Sequence, residues 1–262
     1  MAKKIIEDKR ISSRKRKIIL RKWISILWIF LVIILFVSAI WGINYFYNSD
    51  YFKIKKIEIK GNSFYKKEEI ISKVKDLTGV NIFEIDKKKY EDDLAGSFAR
   101  LKKAEILKVF PDSLVINLTE RVPLLIVLYK NDYFLIDNEG VILEKITDDL
   151  KNYKNYLVVK DAVDHAPEVG GKIAKKNVLS SAEIYKYLIE DIKEKIKFAG
   201  ISNDSLGDIF FETVDGKIII YGNGSEITKK NAILEQIFKD LQNENVNYSI
   251  IDLRITDNPV IK

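Results

Sequence analysis

Residues 23–43 read Trp-Ile-Ser-Ile-Leu-Trp-Ile-Phe-Leu-Val-Ile-Ile-Leu-Phe-Val-Ser-Ala-Ile-Trp-Gly-Ile, 21 positions without a charge. As an α-helix this stretch is roughly 32 Å long, which matches a hydrocarbon core of about 30 Å. Fourteen of its residues are Ile, Leu, Phe or Val. Each such residue favours insertion by about 0.3–0.6 kcal/mol near the helix centre. Trp23, Trp28, Trp41, Tyr45 and Tyr47 place amphipathic rings toward the two ends, where a membrane helix carries its aromatic belt. Two other readings compete. A buried helix of a soluble core needs a polar face, and only Ser25, Ser38 and Gly42 interrupt this apolar surface. A cleaved signal peptide finds a cut site in Val37-Ser38-Ala39, but the apolar run exceeds the usual h-region and continues through Ile40 to Ile43. The expectation is an uncleaved transmembrane helix over residues 23–47.

The formal net charge of +6 invites a nucleic-acid reading, and its distribution removes it. Residues 1–22 hold ten bases and two acids, residues 23–47 hold neither, and the remainder holds 34 bases and 36 acids. The basic character belongs to a short tail beside the apolar stretch. Such a tail stays cytoplasmic by the positive-inside rule and is attracted to anionic headgroups. No nucleic-acid partner is expected. The chain crosses once, with its C-terminal part outside the cell. That part has no cysteine, so disulfides cannot hold it and each domain needs its own apolar core.

Beyond the apolar stretch the period of the pattern changes several times. Residues 54–60 alternate as a strand and stop at Gly61-Asn62, residue types suited to a tight turn. Ile70, Ile71, Val74 and Leu77 recur at helical spacing, closed by Thr78-Gly79. Asp86 is the expected N-cap of a second helix that buries Tyr90, Leu94, Phe98 and Leu101. Strands follow at 104–109 and 113–120, separated by Pro111-Asp112. Strand–helix–helix–strand–strand makes a complete small α+β domain. The second part offers strands at 124–129, 133–136, 141–143, 157–159, 196–201, 209–214, 217–221 and 248–254. Helices are expected at 176–192, with core candidates Val178, Leu179, Ala182, Ile184, Tyr185 and Leu188, and at 226–242, facing inward through Ile233, Leu234, Ile237, Phe238 and Leu241. Asp215-Gly216 is the strongest hairpin signal.

A search for chemistry returns little. One histidine, His165, and no cysteine exclude a multi-histidine or thiolate metal site. No Gly-x-Ser-x-Gly elbow accompanies His165. The pairs Glu68-Glu69, Asp92-Asp93 and Asp148-Asp149 are sequence neighbours among lysines and read as solvated charge. Gly170-Gly171-Lys172 and Gly222-Asn-Gly224 lack the spacing of a phosphate loop. Asn-x-Ser/Thr matches at Asn117, Asn203, Asn223 and Asn247 are short enough to arise by chance. No catalytic residue, metal or cofactor is expected. A sheet can instead act through an open edge, to which a partner adds a strand, and 248–254 is the candidate edge. Ile250, Ile251 and Leu253 could equally be core.

Several motifs resemble the bacterial cell division family FtsQ/DivIB. Lys56-Ile-Glu-Ile-Lys-Gly-Asn62 is similar to that family's opening strand and turn. Gly79-Val-Asn-Ile-Phe-Glu-Ile-Asp86 is similar to its inter-helix connector, and 104–116 to its strand–proline–strand segment. Glu120-Arg121-Val122-Pro123 matches the Glu-Arg-x-Pro signature of its domain junction. Phe134-Leu-Ile-Asp-Asn-Glu-Gly-Val141 and Ile251-Asp-Leu-Arg254 match the two ends of its β domain. The chain departs from the pattern at Tyr156-Leu-Val-Val-Lys-Asp161, where the family often has Leu-Pro, and in its short tail after Arg254.

The resemblance implies an α+β architecture: a cytoplasmic tail (1–22), a transmembrane helix (23–47), a polypeptide-transport-associated (POTRA) domain (52–121) and a sheet-rich β domain (122–262). It implies a non-enzymatic scaffold of the division complex at the septum. Its partners are FtsL-like and FtsB/DivIC-like single-span proteins and, through them, the septal peptidoglycan synthases. Carried over by motif, the partner-binding residues are Tyr248, Ser249, Ile250, Ile251, Leu253 and Arg254, with Arg254 offered to a partner carboxylate. Glu120, Arg121 and Pro123 mark the junction and are a weaker interaction candidate. A membrane-anchored glycan hydrolase is the alternative from a different class, and needs two carboxylates across a cleft. A translocation module of the POTRA type is another, and would carry several repeats or a barrel.

Overall fold

A single helix, α1 (Ala2–Tyr47), opens the chain. The computed structural model describes residues 2–173, 176–202, 206–244 and 246–262, leaving aside the side chains of 2–21. The tail's basic side chains before Lys22, and Asn203, lie outside the described residues. Within α1 the segment Lys22–Tyr47 is 26 residues long, apolar enough to cross a bilayer and nowhere buried against protein. The segment is consistent with a single-pass anchor.

The small sheet has three strands in the order β1-β3-β2: β1 (Lys56–Lys60), β2 (Leu101–Val109) and β3 (Ser113–Glu120). Strand periodicity puts Leu114, Ile116 and Leu118 of β3 on one face, and all three are buried. Gly61 follows β1 with φ +80, and a Cβ there would run into the carbonyl oxygen of Leu118. Two helices accompany the sheet, α2 (Lys67–Lys73) and α3 (Lys87–Ser97). Asp86 caps α3, its Oδ1 accepting from the Lys89 amide at 3.3 Å.

Two expectations need correction here. The predicted helix through Leu77 ends at Lys73 and is continued by one 3-10 turn, Lys75–Leu77. Ile70, Val74 and Leu77 are buried, whereas Ile71, one position around the helix, is 38% exposed. The second helix stops at Ser97, so Phe98 is its C-cap and Leu101 already belongs to β2.

The large sheet has nine strands in the order β12-β11-β10-β9-β8-β7-β4-β5-β6. Its first three in sequence, β4 (Pro123–Tyr129), β5 (Asp132–Asp137) and β6 (Ile142–Ile146), form an antiparallel meander. β7 (Val158–Lys160) then lies parallel to β4 and to β8 (Ile196–Ile201). The segment that departs from the family pattern is therefore a central strand, with Val159 fully buried. β9 (Ile209–Thr213) and β10 (Ile218–Gly222) make the Asp215-Gly216 hairpin. β11 (Ile250–Asp252) runs parallel to β10, which requires the crossover helix α6 (Ile227–Glu244). β12 (Val260–Ile261) closes the order.

One face of this sheet packs under α4 (Lys176–Lys186), the short α5 (Glu190–Lys193) and α6. Val127, Val159, Phe211, Ile219, Tyr221 and Ile251 from the strands meet Val178, Ala182, Leu234, Ile237 and Phe238 from the helices. Because successive strand residues face opposite ways, Ile126 points to the other side. There it joins Leu135, Leu143 and Ile146 beneath the turn at Leu150–Tyr153. The helix expected over 176–192 breaks into α4 and α5, with Ile189 extended between them.

By the compactness of its backbone the chain separates into two units. One holds the segment ending at Glu58 with Val74–Ile85 and Lys108–Val115; the other holds Ile59–Lys73, Asp86–Leu107 and Ile116–Lys262. Ile219, fully buried on β10, reports on the core of the second unit. Ile219→Ala is expected to lower unfolding free energy by about 2–5 kcal/mol, the range for emptying a packed aliphatic site, measured by urea denaturation of the solubilised chain.

Candidate functional site

Glu120 is the last residue of β3, and its carboxylate turns toward the loop after β1. Oε2 accepts from the amides of Ser63 (2.9 Å) and Phe64 (2.8 Å), and Oε1 from that of Tyr65 (3.2 Å). Arg121 is next in sequence and reaches toward β5. Its Nη1 donates to Asp137 Oδ2 at 2.6 Å and to Glu139 Oε2 at 2.8 Å. Its backbone N–H donates to the Arg100 carbonyl oxygen at 2.7 Å. Pro123 begins β4 in register with Asp137. Asp137 is 1% exposed, and its Oδ1 accepts the amides of Glu139 (2.9 Å) and Val141 (2.8 Å). A buried carboxylate is tolerable only with such a full set of partners.

Residues that sequence reasoning missed complete the junction. Arg100 is almost buried, pairs with Glu144 at 2.8 Å and lays its guanidinium 3.9 Å from the centre of the Phe64 ring. Lys102 meets Glu139 at 2.6 Å. Asp137 and Glu139 lie within the Phe134–Val141 motif, but nothing in the sequence marked these acids as Arg121's partners. Hydrogen bonds from Lys102 first and Arg121 second hold the Glu139 carboxyl down from 4.5 to about 2. Burial opposes the Arg121 charge, but hydrogen bonds from Glu139 and Asp137 outweigh it and raise its pKa. The side chains of Glu120 and Arg121 are thus engaged within the chain.

At the C-terminal end of the sheet the six predicted residues separate into two groups. Ile251 and Leu253 are fully buried in the core, and Tyr248 packs edge-on against Phe238 with ring centres 6.2 Å apart. Ser249 and Arg254 are exposed, and Ile250 is half-buried. The strand is shorter than 248–254, and it is not the end of the sheet. β12 pairs antiparallel along it, Ile251 opposite Ile261 and Asp252 opposite Val260. Ser249 and Ile250 donate their amides to the Lys262 carbonyl oxygen at 2.6 and 3.0 Å, and Lys262 returns one to Ile250 at 2.9 Å. Val260 and Ile261 remain 40% and 43% exposed, so β12 is a thin cover. Arg254 is engaged within its own chain. Its Nε and Nη2 grip Asp252 (2.7–3.1 Å), and Nη1 lies 3.5 Å from Asp208. The Arg254 hydrogen bonds lower the Asp252 pKa.

His165 and the pairs Glu68-Glu69, Asp92-Asp93 and Asp148-Asp149 are all exposed. Among the described residues no group of three or more His, Asp or Glu is placed to hold a metal ion.

Family comparison decides what this framework is. Residues 52–121 match the family model for the POTRA domain, FtsQ-type, and residues 126–254 match that for Cell division protein FtsQ/DivIB, C-terminal. The chain belongs to the FtsQ/DivIB family. Cell division protein DivIB of Clostridium botulinum (strain Hall) is 27% identical over 99% of the chain and 98% of its own length. Cell division protein FtsQ of Syntrophotalea carbinolica is 27% identical over 82% of the chain and 75% of its own length. Cell division protein DivIB of Clostridium tetani is 26% identical over 80% and 79%. FtsQ/DivIB proteins are non-enzymatic division proteins, and this one joins a POTRA domain to a single N-terminal apolar helix.

Arg121→Ala leaves Asp137 charged and buried, and is expected to destabilise this FtsQ/DivIB chain by about 3 kcal/mol, the lower end for breaking a buried pair. Arg121→Lys should recover only part, since a compact ammonium on a flexible stem lacks the pre-organised plane of the guanidinium. Glu139 contributes stability in full above about pH 4.5, and that contribution is lost as the pH falls through about 2. Glu139→Gln should flatten this acid limb in thermal melts taken from pH 6 downward.

Proposed function

We propose that this FtsQ/DivIB chain is a membrane-held scaffold of the division complex, with its N-terminus in the cytoplasm and its folded parts outside, enriched at the septum. It binds FtsL-like and FtsB/DivIC-like single-span proteins and through them influences septal peptidoglycan synthesis. Its working parts are the tail 1–22, the span 23–47, the POTRA domain 52–121 and the β domain 122–262. The observation that carries this reading is the end of the nine-stranded sheet, where only the two-residue β12 covers β11. Open edges accept a partner's strand through main-chain hydrogen bonds. The Ile250 amide points to that edge, whereas the Leu253 amide bonds back to Ile220 of β10. Residues 260–262 hold the place of an incoming strand, and a partner captures β11 by displacing them. Confining both proteins to one membrane raises their effective concentration and offsets the cost of that exchange.

Three outcomes test the proposal. Depletion of the protein should give filamentous cells that fail to septate; normal division would count against it. Ile250→Pro removes an edge-side donor and should weaken capture of an FtsB/DivIC-type ectodomain about tenfold or more, the equivalent of one lost bond with its desolvation, while the thermal transition persists. Truncation after Ile255 should tighten the same capture. Unchanged binding in both variants would remove β11 from the interface.

A further inference from the structure

Within the first compact unit, the C-terminal end of α1 is packed against residues 52 and 81–83. Asn81, itself buried, donates from Nδ2 to the Tyr47 carbonyl oxygen at 2.5 Å, occupying one of the acceptors that a helix end leaves open. The Tyr47 ring stacks on Phe83 with centres 5.0 Å apart, and Phe46 meets Phe52 edge-on at 4.9 Å. Phe52 lies 5.1 Å from Phe83, and Phe83 lies 5.2 Å from Phe110. Rings therefore run without a gap from the helix end to the turn after β2.

These rings are only partly a core. Phe46 is 60% exposed, Phe83 39%, Phe110 56% and Tyr51 58%. A contiguous exposed apolar patch marks an interaction surface. Lys108 brings a positive charge to the patch, its Nζ donating to the carbonyl oxygens of Phe83 (3.5 Å) and Ile85 (3.3 Å).

The length of the helix says what covers the patch. Lys22–Tyr47 has 26 residues. At 1.5 Å each they extend about 39 Å, past a hydrocarbon core of about 30 Å. The turn that carries Phe46 and Tyr47 consequently reaches the headgroup layer, where aromatic rings concentrate. Phe83 touches Tyr47, and Phe110 is one ring farther on.

We propose that Phe83 and Phe110, with Lys108, form a second membrane contact: they dock on the bilayer surface from which α1 emerges and meet anionic headgroups there. This rests on α1 crossing the membrane. Apolar rings enter the headgroup–acyl boundary, and the lysine supplies the charge complement. The helix and the loops at 80–85 and 110–112 then leave the membrane at a fixed angle.

The chain has no cysteine, so one introduced thiol carries a unique label. Glu84, exposed beside Phe83, takes a nitroxide as E84C without loss of a ring. The full chain is placed in nanodiscs of mixed zwitterionic and anionic lipid. Collision of the label with oxygen is compared with collision with a water-soluble nickel chelate. Shielding from nickel at E84C is expected, with loss of that shielding in E84C/F110S and partial loss in purely zwitterionic nanodiscs. I34C, in the middle of the helix, reports on the anchor separately. A label at I34C deep in hydrocarbon while E84C reads fully aqueous overturns the docking and leaves the anchor standing. An aqueous I34C overturns both. Shielding at E84C that survives F110S and the loss of anionic lipid also overturns the proposal, because neither the ring nor the charge then makes the contact.

Discussion

Glu120 and Arg121 are neighbours at the end of β3, and their side chains depart in opposite directions. One carboxylate gathers the three amides at 63–65; one guanidinium gathers Asp137 and Glu139. The rest of the second unit depends on this division of labour. Arg121 fixes where β4 begins, since Pro123 already pairs with Asp137. β4 in turn sits between β5 and β7 and sets the register of the nine-stranded sheet. No disulfide is available to do this, so an ion pair with satisfied hydrogen bonds takes the place that a covalent link has in many exported proteins.

Architecture was legible wherever burial imposes a period. β3 and β8 appear with the bounds the alternation predicts, and Asp86 caps the helix it was expected to cap. Illegible features share a different physics. The break at Ile189, whose backbone is extended between α4 and α5, has no Gly or Pro to announce it. Lys230 sits fully inside, donating to the carbonyl oxygens of Tyr221 (2.9 Å) and Asn223 (3.3 Å), although lysine is among the residues least often buried. β12 has two residues, too few for any period.

The site was legible in a different sense. Sequence could nominate residues 248–254 because the family motif ends there, but it could not sort them. Ile251 and Leu253 are core, Ser249 and Ile250 offer edge donors, and Arg254 is held by Asp252. A sheet edge is a property of order, and order is settled by what lies beside β11. The same holds for the junction: the Glu-Arg-x-Pro motif located it, while the acids that pair with it come from the turn between β5 and β6, where the sequence did not mark them as its partners.

The burial of Asp137 has a consequence for life in changing osmotic conditions. Its side chain is 2% exposed, and that of Arg121 16%. Mobile ions cannot enter between them. Exposed pairs such as Lys53–Asp50 and Lys145–Asp132 stand in solvent and are screened within about 10 Å at 0.1 M salt. Rising salinity loosens the protein's surface charges first and leaves the strap between β3 and β5 intact.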